Sequence, residues 1–358
     1  MRARYGYIVV LGFLIAGCGD DTTSPPPPTP ESRTWIGSFT EGGVRGALSL
    51  DIVTEGNKFT GDLVITRVPE LDAQPRLFVR GTIDDSLHLE LDTDRIAYQY
   101  TFNLDAAVDS SDSLSGSISY PVAGLFTSFI AHPIDKRSVN VSLSYDLSTY
   151  VRSMVWDGSS LWLSTLSDEF LRFNDAGVFQ DQVIVYYPGS QDIRWTSGAL
   201  TYDGTYLLGF LPTTILGPGG AISASALFEF DETGVHRRYE LPHTTAGLAY
   251  DGALYWSLDS EARQLFQFDA TGAVKDSIEI DVPDPHHLEF DGEYFWTMSW
   301  YTMRLYKVSP EGHVVAMFDV PVSTPGQIPT AIAVQGATIW YSEVVGLEHS
   351  TIYKLSPE

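Results

Sequence analysis

One cysteine, Cys18, is all the chain has. That excludes an intrachain disulfide framework and any metal site built from several cysteines. Basic residues are also scarce: 21 Lys and Arg stand against 46 Asp and Glu, for a formal net charge of −25. A surface of that sign repels a phosphate backbone, so nucleic acid is excluded as a partner. Apolar runs long enough to cross a bilayer are missing. So is the periodicity of long amphipathic helices. There is no glycine-rich phosphate loop, no nucleophile elbow and no zinc-helix motif. What the chain has instead is 13% aromatic residues, 31 glycines and many short alternating apolar runs. That is the make-up of an all-β protein.

The N-terminus reads as an export signal. Arg2 and Arg4 precede an apolar stretch from Tyr7 to Phe13, and Leu14-Ile15-Ala16-Gly17-Cys18 follows. The run is too short for a membrane-spanning helix and fits a cleaved signal. Leu-Ile-Ala-Gly-Cys resembles the lipobox of bacterial lipoproteins. The resemblance implies a signal peptide at residues 1–17 and a mature N-terminus at Cys18 carrying acyl chains such as palmitate, held in a membrane. Gly19, where an Asp would mark inner-membrane retention, points to the outer membrane. The expected location is therefore the bacterial cell envelope, periplasmic or surface-exposed. Residues 18–32 contain Pro25 to Pro28 and form a polyproline II tether.

Residues 33–137 alternate with period two. Leu48, Leu50 and Ile52 are interleaved with Ser49 and Asp51, so one face is apolar and the other wet. Short strands of this kind predict a small antiparallel β-barrel or sandwich. Trp35-Ile36-Gly37, Phe59-Thr60-Gly61 and the stretch Phe126 to His132 resemble lipocalin- and avidin-like barrels in style.

Residues 138–358 carry a repeat. Thr244 to Pro283 is its most regular copy. Strands are expected at Gly247–Tyr250, Ala253–Ser257, Gln264–Phe268 and Val274–Ile280, with a type I′ turn at Asp251-Gly252. The turn recurs at Asp157-Gly158, Asp203-Gly204, Asp291-Gly292 and Gln335-Gly336. Five residues after each Asp or Gln stand Trp162, Leu208, Trp256, Trp296 and Trp340. Four strands per copy make a propeller blade. The fifth copy stops one strand short, and an unassigned strand, Val139 to Leu147, precedes the first. Pairing the two closes the ring and removes its open edges. The predicted architecture is an all-β chain: a five-bladed β-propeller closed by an N-terminal strand, behind a small barrel-like domain. A monomer is expected.

The stretch Leu288-Glu289-Phe290-Asp291-Gly292…Phe295-Trp296…Leu305-Tyr306-Lys307-Val308-Ser309-Pro310-Glu311-Gly312 resembles repeats of the NHL, streptogramin-lyase and lactonase-type propellers. The matched residues are turn glycines and core aromatics, which carry fold rather than activity. Chemistry is expected at the rim of the central channel, where the first strands begin. Four and five positions before each turn stand mostly small residues, but Arg152, His286 and His287 break that pattern. Asp259, Trp300 and Glu343 follow the second strands and are expected at the same end.

The lyase resemblance implies a rim histidine with a glutamate and Mg²⁺, and His287 and Glu343 are the residues available for those roles. Lactonase-type propellers hold Ca²⁺ through Glu, Asn and Asp, and no matching set occurs. Thr245-Ala246-Gly247-Leu248 and Met298-Ser299-Trp300 resemble repeats of the five-bladed glutaminyl cyclases, though Pro285-His286-His287 lacks the acidic residue of that pattern.

Two function classes follow. The first is a non-catalytic binding or scaffold module at the envelope, engaging protein or glycan. The alternative is a lyase- or glutaminyl cyclotransferase-like enzyme using His286 or His287 with Glu343 near Arg152, and Asp259 and Trp300 as ligand contacts. No cofactor is required by the sequence; Mg²⁺ or Ca²⁺ would belong to the enzyme class. For the anchor, Cys18→Ala is expected to abolish palmitate incorporation and move the protein from the detergent to the aqueous phase on phase partitioning. Labelling that survives the substitution would refute the lipidation reading.

Overall fold

A computed structural model describes residues 30–358, except 42–43, 67–75, 84–85, 92–102, 121–124, 187–193, 196, 218–219, 242, 322–326 and 347. The signal peptide, Cys18 and nearly all of the tether lie outside the described residues.

Eight antiparallel strands come first: β1 (Glu31–Glu41), β2 (Val44–Glu55), β3 (Lys58–Ile65), β4 (Arg76–Ile83), β5 (Ser86–Leu91), β6 (Asn103–Val108), β7 (Leu114–Tyr120) and β8 (Leu125–Pro133). They pair in chain order, and β1 also pairs with β8, so the sheet closes into a barrel. Trp35, Leu48, Leu50, Leu63, Val79 and Phe129 belong to one buried cluster inside it. Each large side chain buried this way contributes about 2 kcal/mol.

The chain then lays down β9 (Asp135–Arg137) and β10 (Val139–Leu147). Five four-stranded units follow as a ring. Their inner strands are Val151–Trp156, Leu200–Tyr202, Gly247–Tyr250, Pro285–Phe290 and Ile328–Gln335, defining blades 1 to 5. Neighbouring inner strands touch all the way round, blade 5 meeting blade 1. β10 pairs with the last strand of the chain, His349–Pro357, and supplies the outermost strand of blade 5. The ring is a five-bladed propeller closed by its N-terminal strand, as the repeat predicts. β9 adds a parallel strand outside blade 4.

The turn between the first two strands differs from the two-residue hairpin expected. In blade 3 the second strand is Tyr255–Asp259, so the connection occupies Asp251 to Leu254. The reason is the Asp side chain. Asp251 Oδ1 accepts the backbone N–H groups of Ala253 and Leu254 at 2.8 and 2.7 Å, and Oδ2 accepts the Trp256 indole N–H at 2.7 Å. Blades 1 and 4 repeat this with Asp157–Trp162 and Asp291–Trp296 at 2.6 and 2.7 Å. In blade 5, Gln335 accepts from Trp340 at 3.0 Å. The glycines after the four aspartates hold φ between 93° and 99°, a region costly for any other residue. Burial alone would raise the pKa of Asp157 and Asp291, but the indole and backbone hydrogen bonds outweigh it and hold both below the ordinary value. Leu208 offers no donor in blade 2. There the Tyr255 hydroxyl of the next blade donates to Asp203 Oδ2 at 2.8 Å.

The barrel sits on blades 3 and 4. Ile36 of β1 joins the buried cluster between them, with Leu258, Leu265, Leu288 and Tyr306. Beside this wedge lies a balanced charge group. Asp51 of β2 is bonded by the Arg304 guanidinium, by Lys136 Nζ at 2.8 Å and by Thr34 Oγ1 at 2.8 Å. Arg304 Nε also meets Asp319 at 2.7 Å. Desolvation works against the Asp51 carboxylate, yet the two cations more than offset it and lower its pKa. On blade 3, Arg45 of β2 reaches Glu279 and Asp281, each at 2.5 Å.

Two stability predictions follow. Asp291→Ala removes three acceptor contacts and should cost roughly 2–4 kcal/mol in urea unfolding; a loss below about 0.5 kcal/mol would show that the indole bond is dispensable. Arg304→Ala leaves Asp51 buried with less compensation and should cost about 3–5 kcal/mol, most of it recovered in Asp51→Ala/Arg304→Ala. Additive losses in that cycle would contradict the pairing.

Candidate functional site

The end of the ring where inner strands begin is also where second strands finish. Blade 4 is unusual there. Pro285–Phe290 carries a bulge between His286 and Glu289, and His287 has φ 58°, the left-handed region. The neighbouring inner strand permits this. A Cβ on Gly247 would lie 2.5 Å from Leu288 N and 2.6 Å from the His287 carbonyl carbon, so only glycine admits the approach. The His287 N–H donates to Ala246 O at 3.1 Å, and Thr297 Oγ1 donates to the carbonyls of His286 and His287 at 3.0 and 2.8 Å. The small Ala246-Gly247 pair is therefore what lets the histidine strand kink.

The two histidines part company. His286 is half-buried and lies flat on Trp300, ring centroids 3.7 Å apart and planes 7° from parallel. Its Nε2 stands 3.3 Å from Asp284 Oδ1. Trp300 remains 40% exposed. Asp259 is close by in chain terms: the adjacent Ser260 Oγ donates to Pro285 O, and Thr244 Oγ1 lies 3.4 Å from Asp259 Oδ2. His286, Trp300 and Asp284 thus form one surface group, bordered by the Asp259 turn.

His287 points inward and is 8% exposed. Desolvation, with a smaller push from His286, lowers its pKa to about 3, so the imidazole is neutral. Glu343 is wholly buried on blade 5 and accepts the Tyr353 hydroxyl at 2.6 Å. Arg152 is half-buried on blade 1 beside Tyr150, with blade 5 between it and His286. The candidates therefore separate: His286 packs on Trp300 at the end of blade 4, His287 is buried on the same strand, and Glu343 and Arg152 lie on blades 5 and 1. Among the described residues no three His, Cys, Asp or Glu side chains gather as a metal site.

Two buried groups escaped the sequence reading. His243 Nε2 lies 2.7 Å from Ser257 Oγ, its ring stacks on Phe266 at 4.1 Å, and burial lowers its pKa. No local pattern marks it. Glu289 did leave a signal. Two positions before each turn the repeat holds Val155, Thr201, Ala249, Glu289 and Ala333, and a carboxylate in that column is anomalous. Its Oε1 is buried without a hydrogen-bond partner, and desolvation raises its pKa well above the ordinary 4.5.

No protein-family model matches the sequence, and no curated protein matches it. Among solved structures the chain is similar to a glutaminyl cyclase from Myxococcus xanthus, at 14% identity over 63% of this chain and 99% of that one, TM-score 0.48. It is also similar to a streptogramin B lyase, at 13% identity over 91% and 98%, TM-score 0.30. A third is the PQQ-bound aldose sugar dehydrogenase from Streptomyces coelicolor, at 10% identity over 62% and 98%, TM-score 0.37. Likeness of this degree assigns no activity to the chain. By its own strand order and repeated turn the chain is a five-bladed β-propeller.

Glu289 yields a pH prediction. Its folded pKa lies above the unfolded one, so its contribution to stability is full below about pH 4.5 and is lost as pH rises. Glu289→Gln should raise stability at pH 7–8 by roughly 1–3 kcal/mol, with the gain shrinking toward pH 4. A variant less stable than the parent at pH 8 would contradict the burial of an unpaired acid.

Proposed function

We propose that this protein is a non-catalytic binding module of the bacterial cell envelope, tethered through lipidated Cys18, which takes a protein or glycan ligand at the inner-strand end of blade 4. The observation that carries the reading is the His286–Trp300 stack: an indole that is exposed yet held in a fixed plane by a ring itself bonded to Asp284. Fixed aromatic surface is what a recognition site needs, because little conformational freedom is lost on binding. The acid–base candidates argue the same way. A neutral, inward-facing His287 with its pKa near 3 is poorly matched to proton transfer at neutral pH. Glu343 is wholly buried, and its Oε1 is held by the Tyr353 hydroxyl.

One observation favours the enzyme class instead. Glu289 is a carboxyl whose pKa burial raises well above its ordinary value, the direction a general acid requires. Its Oε1 has no partner that would explain its retention by structure alone.

The test is retention on envelopes. With Cys18→Ala removing the lipid, the full chain is expected to co-sediment with a purified envelope fraction, and adding Trp300→Ala should cut the bound fraction about tenfold, equivalent to 1.4 kcal/mol. Equal retention of both variants would overturn the binding site.

A further inference from the structure

We infer that the ligand at the His286–Trp300 stack is a neutral pyranose chain, an inference that rests on the binding reading above. Trp300 is 40% exposed, whereas Trp35, Trp162, Trp256, Trp296 and Trp340 are buried. Its neighbour His286 lies parallel at 3.7 Å, which fixes the indole plane and leaves a flat apolar surface at the end of the ring. The C–H face of a pyranose packs on such a surface, and its hydroxyl groups then need acceptors at the ring edge. Carboxylates provide them here. Asp284, bonded to His286 at 3.3 Å, lies on one side. On the blade 3 side is the Asp259 turn, tied to Pro285 through Ser260. Ionised carboxylates only accept, which suits a ligand that brings many O–H donors.

Charge decides between sugar classes. At a net charge of −25, uronic acids and phosphorylated sugars meet a repulsive field, which leaves neutral sugars. Charge also separates a sugar from a basic peptide. A basic peptide would be attracted to most of this acidic surface and gains little from one immobilised ring. A neutral sugar gains nothing from the net charge and depends on the fixed plane and the edge acceptors together. The arrangement of Trp300, His286 and Asp284 therefore fits the sugar.

The test is affinity electrophoresis of the full chain carrying Cys18→Ala. The gels contain a neutral β-glucan, an α-mannan or a soluble N-acetylglucosamine polymer, with polygalacturonate as the acidic control and oligolysine as the cationic one. At least one neutral polymer is expected to retard the protein, and polygalacturonate to leave it unretarded. Trp300→Ala should weaken that retardation at least tenfold with the thermal midpoint unchanged, while Trp300→Phe keeps part of it. Retardation by no neutral polymer overturns the sugar assignment, and so does retardation that Trp300→Ala leaves intact. If neutral polymers fail but envelope retention still depends on Trp300, the sugar class falls and the binding reading stands. If oligolysine alone retards in a Trp300-dependent way, the ligand is a basic protein segment. Loss of both envelope retention and polymer binding removes both readings.

Discussion

A side-chain acceptor at each inner turn, an aspartate in blades 1 to 4 and Gln335 in blade 5, holds the propeller together. One aspartate oxygen closes the turn by accepting two backbone N–H groups, and the other takes the indole N–H five residues on. That indole sits between blades, Trp256 among the residues shared with blade 4 and Trp296 among those shared with blade 5. A local turn and a long-range packing surface are thus set by the same side chain. Blade 2 makes the dependence visible. Where Leu208 replaces the tryptophan, Asp203 is satisfied by a tyrosine borrowed from the next blade. The acceptor is never left empty, because an unfilled buried carboxylate would cost more than the turn gains.

That constraint leaves the inner strands free to vary. Their beginnings are backed by neighbours, not by the turn, so the repeat tolerates Ala246-Gly247 in one blade and His286-His287 in the next. Variation there has two consequences of opposite kind. His286 turns outward and immobilises Trp300. His287, displaced by the bulge, turns inward and loses its charge. Adjacent residues of one type end in different surroundings because the bulge and the left-handed backbone at His287 separate them.

The barrel is bound to this end of the molecule by an apolar wedge at Ile36 and a charge group at Asp51. Neither contact is a loose tether. Arg304 answers a carboxylate 253 residues away, with Lys136 from β9 beside it. Removing one member strands the others, which makes the junction specific even where its net stabilisation is modest. The barrel therefore bounds the outer side of blades 3 and 4, the blades that also carry the Asp259 turn and the Trp300 stack.

The sequence determined the blade period, the number of blades and the closure by Val139–Leu147, because each depends on spacings within some forty residues of chain that repeat. It also placed His286 and Trp300 at one end of the ring, since both follow from counting along strands. It misjudged the second-strand boundary, where a side-chain acceptor lengthened the turn. Tertiary structure alone decided that His286 and Trp300 stack, that burial shifts His287 and Glu289 toward their neutral forms, and that Asp51 meets Arg304. Those outcomes turn on burial and on partners distant in the chain. A local period carries no information about either.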